Sequence, residues 1–180
     1  MKTLLLHTCC APCTAYVYEL LEKKFLVTLF FYNPNIHPLS EYKKRLEELK
    51  RFTEKKQIKM IIDTSDAKKW HQKIAPYKDL GEKSERCWEC YQIRLEKTFT
   101  ESLKHKIDYV ATTLSISPHK KAEVINKLGQ KLSKDLGVGF LGRDFKKNDG
   151  YRKSVQLSKE YKFYRQNYCG CLYSKKERGF

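Results

Sequence analysis

The feature that most constrains this chain is the alternation of short apolar runs with longer amphipathic segments. The runs at 2–7 and 25–32 are largely apolar, which is typical of strands buried on both faces. Further strands are predicted at 58–63 and 108–113, and helices at about 11–24, from 39 onward and at 120–136. Strands that alternate with helices predict an α/β fold with a parallel, doubly wound sheet. At 180 residues, the chain is expected to form a single domain, 1–180.

Polar loops follow the predicted strands, at 33–37, 63–65 and 112–115. In a doubly wound sheet, ligands bind outside the carboxyl ends of the strands, so these loops are expected to share one rim. The loop after the first strand contains neither Gly-x-Gly-x-x-Gly nor a Walker sequence. A nucleotide cofactor held in the usual way is therefore not supported, and cysteines occupy that corner of the fold instead.

The chain has seven cysteines in three tight groups, at 9–13, 87–90 and 169–171. The first residues lack the apolar core of a signal peptide, and no run approaches the about 20 apolar residues of a membrane span. We therefore expect a cytoplasmic protein that does not act at a membrane. In that reducing compartment, clustered thiols indicate metal ligands or redox groups rather than structural disulfides.

The spacing of the cysteines favours iron and sulfur over zinc. Structural zinc commonly takes its four thiolates from two Cys-x-x-Cys pairs, and this chain has only one clean pair, at 87–90, because the spacing at 10–13 is part of a group of three cysteines. Adjacent cysteines reach two corners of a cubane more easily than one mononuclear ion, so a 4Fe-4S cluster fits better. Three cysteines then remain for a second iron or for a redox-active dithiol, and both alternatives stay open. The expected cluster ligands are Cys9, Cys10, Cys87 and Cys90, and the remaining cysteines are Cys13, Cys169 and Cys171.

The net charge of +16 indicates a polyanionic partner. Residues 143–180 alone hold eleven lysines and arginines against four acidic residues, with tyrosines interleaved. Cations bind phosphates and aromatic rings stack on bases, so this basic segment, expected to be helical, predicts a surface for RNA. Because it also contains Cys169 and Cys171, it is expected to return to the cysteine site. A metal or redox centre beside an RNA surface favours an enzyme that acts on nucleic acid.

Six blocks between residues 7 and 171 together resemble the QueH family of epoxyqueuosine reductases. The resemblance implies reduction of epoxyqueuosine at the tRNA wobble position to queuosine, without cobalamin. It also implies a Rossmann-like fold of the adenine nucleotide alpha hydrolase (HUP) kind. The blocks are His-Thr-Cys-Cys-Ala-Pro-Cys at 7–13, Asn-Pro-Asn-Ile-His-Pro at 33–38, Cys-Trp-Glu-Cys-Tyr-Gln-Ile-Arg-Leu at 87–95, Thr-Thr-Leu-Ser-Ile-Ser-Pro-His-Lys at 112–120, Asp-Phe-Lys-Lys at 144–147 and Tyr-Arg-Gln-Asn-Tyr-Cys-Gly-Cys at 164–171.

The implied reaction removes an epoxide oxygen to leave an alkene and needs two electrons, two protons and an acid on the departing oxygen. Under this hypothesis the cluster delivers electrons from a donor that the sequence does not identify. Cys13, Cys169 and Cys171 act either as ligands of a second iron that polarises the C–O bond or as a dithiol. The candidate proton donors are His7, His37, Tyr151 and Tyr168.

Substrate recognition is expected to divide between phosphates and the modified base. Four cations are predicted to bind phosphates: Lys146, Lys147, Arg152 and Arg165. The residues predicted near the base are Asn33, Asn35, His37, Thr112, Ser115 and Tyr151. Two other functions remain as alternatives. One is a zinc-stabilised tRNA-binding module without catalysis, and the other is a thiol-dependent tRNA sulfur transferase that forms a persulfide on Cys13.

Overall fold

A five-stranded parallel sheet forms the centre of the computed structural model, which describes residues 1–180. The strand order is β3-β2-β1-β4-β5, and every neighbouring pair is parallel. The order reverses beside β1, so the switch point of the sheet lies between β1 and β4. The prediction of a doubly wound α/β fold is confirmed. The strands are β1 Lys2–Thr8, β2 Phe25–Tyr32, β3 Met60–Asp63, β4 Tyr109–Thr112 and β5 Gly139–Phe140.

Seven α-helices and two short 3-10 turns connect and cover the strands. None of the helices combines the length and apolar character needed to cross a membrane. The 3-10 turns are Ala75–Tyr77 and Thr113–Ile116. The helices are α1 Ala11–Leu21, α2 Leu39–Lys56, α3 Ala67–Ile74, α4 Glu85–Lys104, α5 Ala122–Leu136, α6 Gly150–Glu160 and α7 Leu172–Glu177.

Successive residues of the central strands pack into different layers of the core. Leu4 and Leu6 of β1 join a cluster with α1 and α2, whereas Leu5 between them belongs to a separate cluster with Phe30 and, from α4, Ile93. This is the period of two expected for a strand with helices on both faces. Phe163, from the chain after α6, joins the α1 and α2 layer, which anchors the basic segment to the core.

Candidate metal and substrate site

The first group of cysteines lies at the carboxyl end of β1, next to the switch point. Cys10 is the N-cap residue of α1 in extended backbone, and Pro12 stands in the first turn, where proline is preorganised for helix entry. The sulfurs of Cys9, Cys10 and Cys13 all lie within 4.8 Å of one another, a spacing that could hold a metal ion. All three thiols are free, and Cys9 and Cys10 are buried.

The other four cysteines line one cavity, which we call the four-thiol cavity. Cys87 and Cys90 are three residues apart on α4, so both sulfurs project from the same side of the helix. Cys169 and Cys171 precede α7, with their sulfurs 3.5 Å apart. Trp70 donates its indole N–H to the Cys90 sulfur at 3.4 Å. The structure thus distributes the four expected cluster ligands over two groups, with Cys9 and Cys10 beside Cys13.

A second cavity, of about 110 Å³, contains Cys9 and Cys13, and we call it the first-loop cavity. Three residues line both cavities, which therefore adjoin: His119, Lys120 and Cys169. All three cysteine groups of the sequence consequently border one continuous region. The soft sulfur donors fit an iron–sulfur cluster, and they also fit zinc.

One cysteine in the group at 9–13 and one in the group at 169–171 favour the thiolate. The pKa of Cys9 is held well below its usual value by hydrogen bonds from Cys10 and Cys13, and the charges of Arg94 and Lys120 add to this. The pKa of Cys169 is likewise lowered, chiefly by its hydrogen bond with Cys171 and then by the charge of Lys120. Thiolates are the metal-binding and nucleophilic form of cysteine, so both groups are prepared for metal or redox chemistry.

Three of the expected site residues support the first cysteine loop from beneath and line neither cavity: His7, Asn33 and Thr112. Asn33 donates to the carbonyl of Thr8 at 2.9 Å and accepts from the buried Arg94 at 2.7 Å. His7 is fully buried and shares a hydrogen bond of 2.9 Å with the hydroxyl of Thr112. Burial, and then the charge of Arg94, lowers the pKa of His7 to about 3, which favours a positioning role over proton donation.

The remaining expected residues lie in five different settings. Tyr151, Arg165 and Tyr168 line the first-loop cavity, and Asn35 lines the four-thiol cavity with its buried Oδ1 unpartnered. The His37 ring lies against those of Trp70 and His71, outside both cavities. Ser115 and Lys146 tie the chain after β5 to the chain after β4, because Ser115 donates to the Arg143 carbonyl and Lys146 to the Ser115 carbonyl. Lys147 and Arg152 are exposed beyond this region.

Four further residues at the site were not predicted from the sequence. Arg45 is buried on α2, pairs with Glu41 at 2.6 Å, and donates to the carbonyls of Tyr168 and Cys169. Gln166 donates its amide to the Cys10 sulfur at 3.1 Å. His119 and Lys120 end the block at 112–120 that carries the family resemblance, but no role was assigned to them from the sequence. Nothing in the sequence marks Arg45 among the many charged residues of its helix.

Comparisons with known proteins identify relatives that match nearly the whole chain. The family model described as "Epoxyqueuosine reductase QueH" matches residues 4–177. A protein of Thermotoga maritima with that name is 40% identical over 182 residues, covering 99% of this chain and 93% of the relative. One of Streptococcus pyogenes is 37% identical over 183 residues, covering 98% of this chain and 72% of the relative.

The fold also occurs in a solved structure described as a predicted subunit of a tRNA methyltransferase from Methanocaldococcus jannaschii. It has a TM-score of 0.64 and 14% identity, and the match covers 99% of this chain and 89% of the other. That identity supports a shared fold alone. Since the family model spans nearly the whole chain and the relatives match over almost all of it, this chain belongs to the QueH family of epoxyqueuosine reductases.

Proposed function

We propose that this protein reduces the epoxide of epoxyqueuosine in tRNA to give queuosine. Its family membership and the names of its relatives support the reaction. The observation that carries the proposal is that six of the seven thiols line two adjoining cavities at the carboxyl end of the sheet, with the sulfur of Cys10 within 4.8 Å of those of Cys9 and Cys13. A tRNA substrate and unpaired thiols are both compatible with the cytoplasm, where we expect the enzyme to act.

The thiols are proposed to hold an iron–sulfur centre. When bound, a 4Fe-4S cluster supplies electrons one at a time. The ligands expected from the sequence are Cys9, Cys10, Cys87 and Cys90, with Cys13, Cys169 and Cys171 as ligands of a second iron or as a dithiol. The spacing of the sulfurs supports a different partition, because those of Cys9, Cys10 and Cys13 lie within 4.8 Å of one another and the other four cysteines line the four-thiol cavity. Serine variants of Cys9 and Cys171, one from each group, distinguish the two partitions by their effects on iron content.

The chain itself supplies binding and shielding. Arg165 and Tyr151 line the first-loop cavity, and the guanidinium lies 3.5 Å from the phenol oxygen. A planar cation and an aromatic ring at this position suit stacking on an unpaired base of an RNA loop. The exposed Lys147 and Arg152 then bind phosphates. Cys9, Cys10 and Cys171 are buried, which shields these three thiols from solvent.

The test is an assay on protein purified without oxygen. We expect a brown protein that contains iron, with a visible absorption band, and that converts epoxyqueuosine in tRNA to queuosine when dithionite supplies the electrons. Cys87→Ser should lose both the band and turnover, and full iron and activity in that variant would remove Cys87 from the ligands. Zinc alone, without iron even after anaerobic reconstitution, would contradict the proposal and favour the zinc-stabilised tRNA-binding module.

A further inference from the structure

Lys120 is the cation at the site whose ammonium group has no partner. Four arginines surround the cavities, and each has one. Arg86 pairs with Glu177 and Arg178 with Glu82, while Arg94 donates to Asn33 and Arg165 donates to the hydroxyl of Tyr151. The Lys120 ammonium forms no hydrogen bond or ion pair within the chain, although it is partly buried. A partly desolvated cation without a partner can stabilise negative charge on a bound group.

The position of Lys120 brings its charge to both cysteine groups. It lines the first-loop cavity together with Cys9 and Cys13, and the four-thiol cavity together with Cys87 and Cys169. Its charge is among the influences that lower the pKa of sulfurs in both groups. A substrate atom held between the two groups of thiols would therefore lie next to this ammonium.

The backbone around Lys120 is held in place from two sides. Its N–H donates to the carbonyl of Ser117 at 3.2 Å, and its own carbonyl accepts from the Lys146 ammonium at 3.5 Å. The next residue is directed elsewhere, because the Lys121 ammonium lies 5.8 Å from the centre of the Trp88 ring. Two consecutive lysines thus have different surroundings, and one of them serves as a matched control for the other.

We propose that Lys120 is a catalytic residue that binds the epoxide oxygen and stabilises the negative charge that develops there as the C–O bond breaks. This inference rests on the proposed function. In the whole reaction both C–O bonds break, a C=C bond forms, and the oxygen leaves as water. Two electrons come from a one-electron reductant, dithionite in the assay, and two protons come ultimately from solvent. A fixed donor aimed at developing charge is among the largest contributions that a side chain makes to catalysis.

The test compares Lys120→Gln, which removes the charge, with Lys120→Arg, which keeps it in a different shape, and with Lys121→Gln as the control. Turnover is expressed per iron atom bound. We expect Lys120→Gln to lower kcat by about 10²–10³-fold, the range seen when one such donor is removed. Lys120→Arg should retain part of that activity. Lys121→Gln should stay within about twofold of the unmodified protein, since its side chain does not reach either cavity.

Three further measurements separate catalysis from structure. Iron content, the visible spectrum and the Kd for substrate tRNA should be unchanged in Lys120→Gln. A kcat per iron within threefold of the unmodified protein would overturn the proposal, as would a loss of turnover fully accounted for by lost iron or by weaker tRNA binding. If Lys120→Gln does not fold, Lys120→Arg provides the test. Near-normal turnover in that variant, with the cation in a different position, would contradict the proposal of a positioned donor. Failure of the proposed function is distinguishable, since the unmodified protein would then convert no epoxyqueuosine.

Discussion

Gly170 lies between two cysteines of the four-thiol cavity in a backbone conformation that other residues rarely adopt. Its φ is +119°, and a Cβ built there would lie 2.9 Å from Cγ1 of Ile36 and 3.3 Å from Nη1 of Arg45. Glycine has no Cβ, so it allows this close approach between the basic segment and the loop after β2. The positions of both neighbouring sulfurs therefore depend on the absence of a side chain.

Gly170→Ala is expected to lower the free energy of unfolding by about 1–3 kcal/mol, because the backbone is strained for any other residue and the methyl group meets a buried side chain. Urea denaturation of the metal-free protein measures this directly. Gly81→Ala is the control, since a Cβ there meets nothing within 4 Å, and it should leave stability nearly unchanged. Equal stability of the two variants would mean that the chain around Gly170 adjusts without cost.

Individual residues show which parts of the site could be predicted from the sequence. The cysteines were identified as site residues because their grouping is unusual. Asn33 and Thr112 were predicted near the base, and in the structure they form hydrogen bonds with Arg94 and His7; the sequence does not distinguish these two roles for a polar residue at a strand end. Arg45 and Lys120 were missed, because the burial of one charged residue among many is decided by packing between distant segments.

At the level of elements, α2 fixes the position of the basic segment through one buried ion pair. Arg45 pairs with Glu41, and the same Glu41 accepts a hydrogen bond of 2.9 Å from the hydroxyl of Tyr164. Arg45 also donates to the carbonyls of Tyr168 and Cys169, at 3.2 and 3.1 Å. These hydrogen bonds reduce the cost of burying the two charges.

Arg45→Gln should destabilise the protein by about 3–5 kcal/mol, because it leaves the buried carboxylate of Glu41 without its counter-charge. Urea denaturation gives the free energy, and faster trypsin cleavage near Arg165 would locate the loosening in the basic segment. The exposed pair of Lys127 and Glu123 on α5 provides the comparison, and Lys127→Gln should cost less than about 1 kcal/mol. If both variants lower the free energy of unfolding by the same small amount, the buried pair does not anchor the basic segment.

The predicted helices and strands are accurate where the sequence pattern is strong. The bounds of β2 agree with the prediction, and α2 begins at the predicted residue, since continuous apolar runs and long helical periodicity are strong signals. The strand β5 was missed because it has two residues, and its place in the sheet depends on pairing with β4. The helix α3 was missed because its eight residues are too few to show a clear helical period.

For the whole molecule, the net charge of +16 should govern tRNA binding. Lys147 is exposed in the chain after β5, at the end of the sheet where the cavities lie. The exposed Lys24 directly precedes β2, at the amino end of that strand and so at the opposite end of the sheet. Substrate should therefore meet the first of these lysines and not the second, even though both contribute equally to the net charge.

Lys147→Gln is expected to weaken binding of all tRNAs to a similar extent and to reduce the slope of log affinity against log salt by about one. Lys24→Gln should change neither quantity. Titrations with substrate tRNA and with an unmodified tRNA, each at several salt concentrations, measure both effects. An equal effect of the two variants would indicate that overall charge attracts tRNA without a defined binding face.

The cysteines that border the two cavities come from three stretches of chain that are far apart in sequence. A metal centre bonded to sulfurs from more than one stretch would close long loops, and such cross-links remove conformational freedom from the unfolded chain. Metal affinity and folding free energy would then be linked, so that metal binding raises the free energy of unfolding and a more stable fold binds the metal more tightly. The iron supply of the cell would thus set both the active fraction of this enzyme and the fraction that escapes proteolysis.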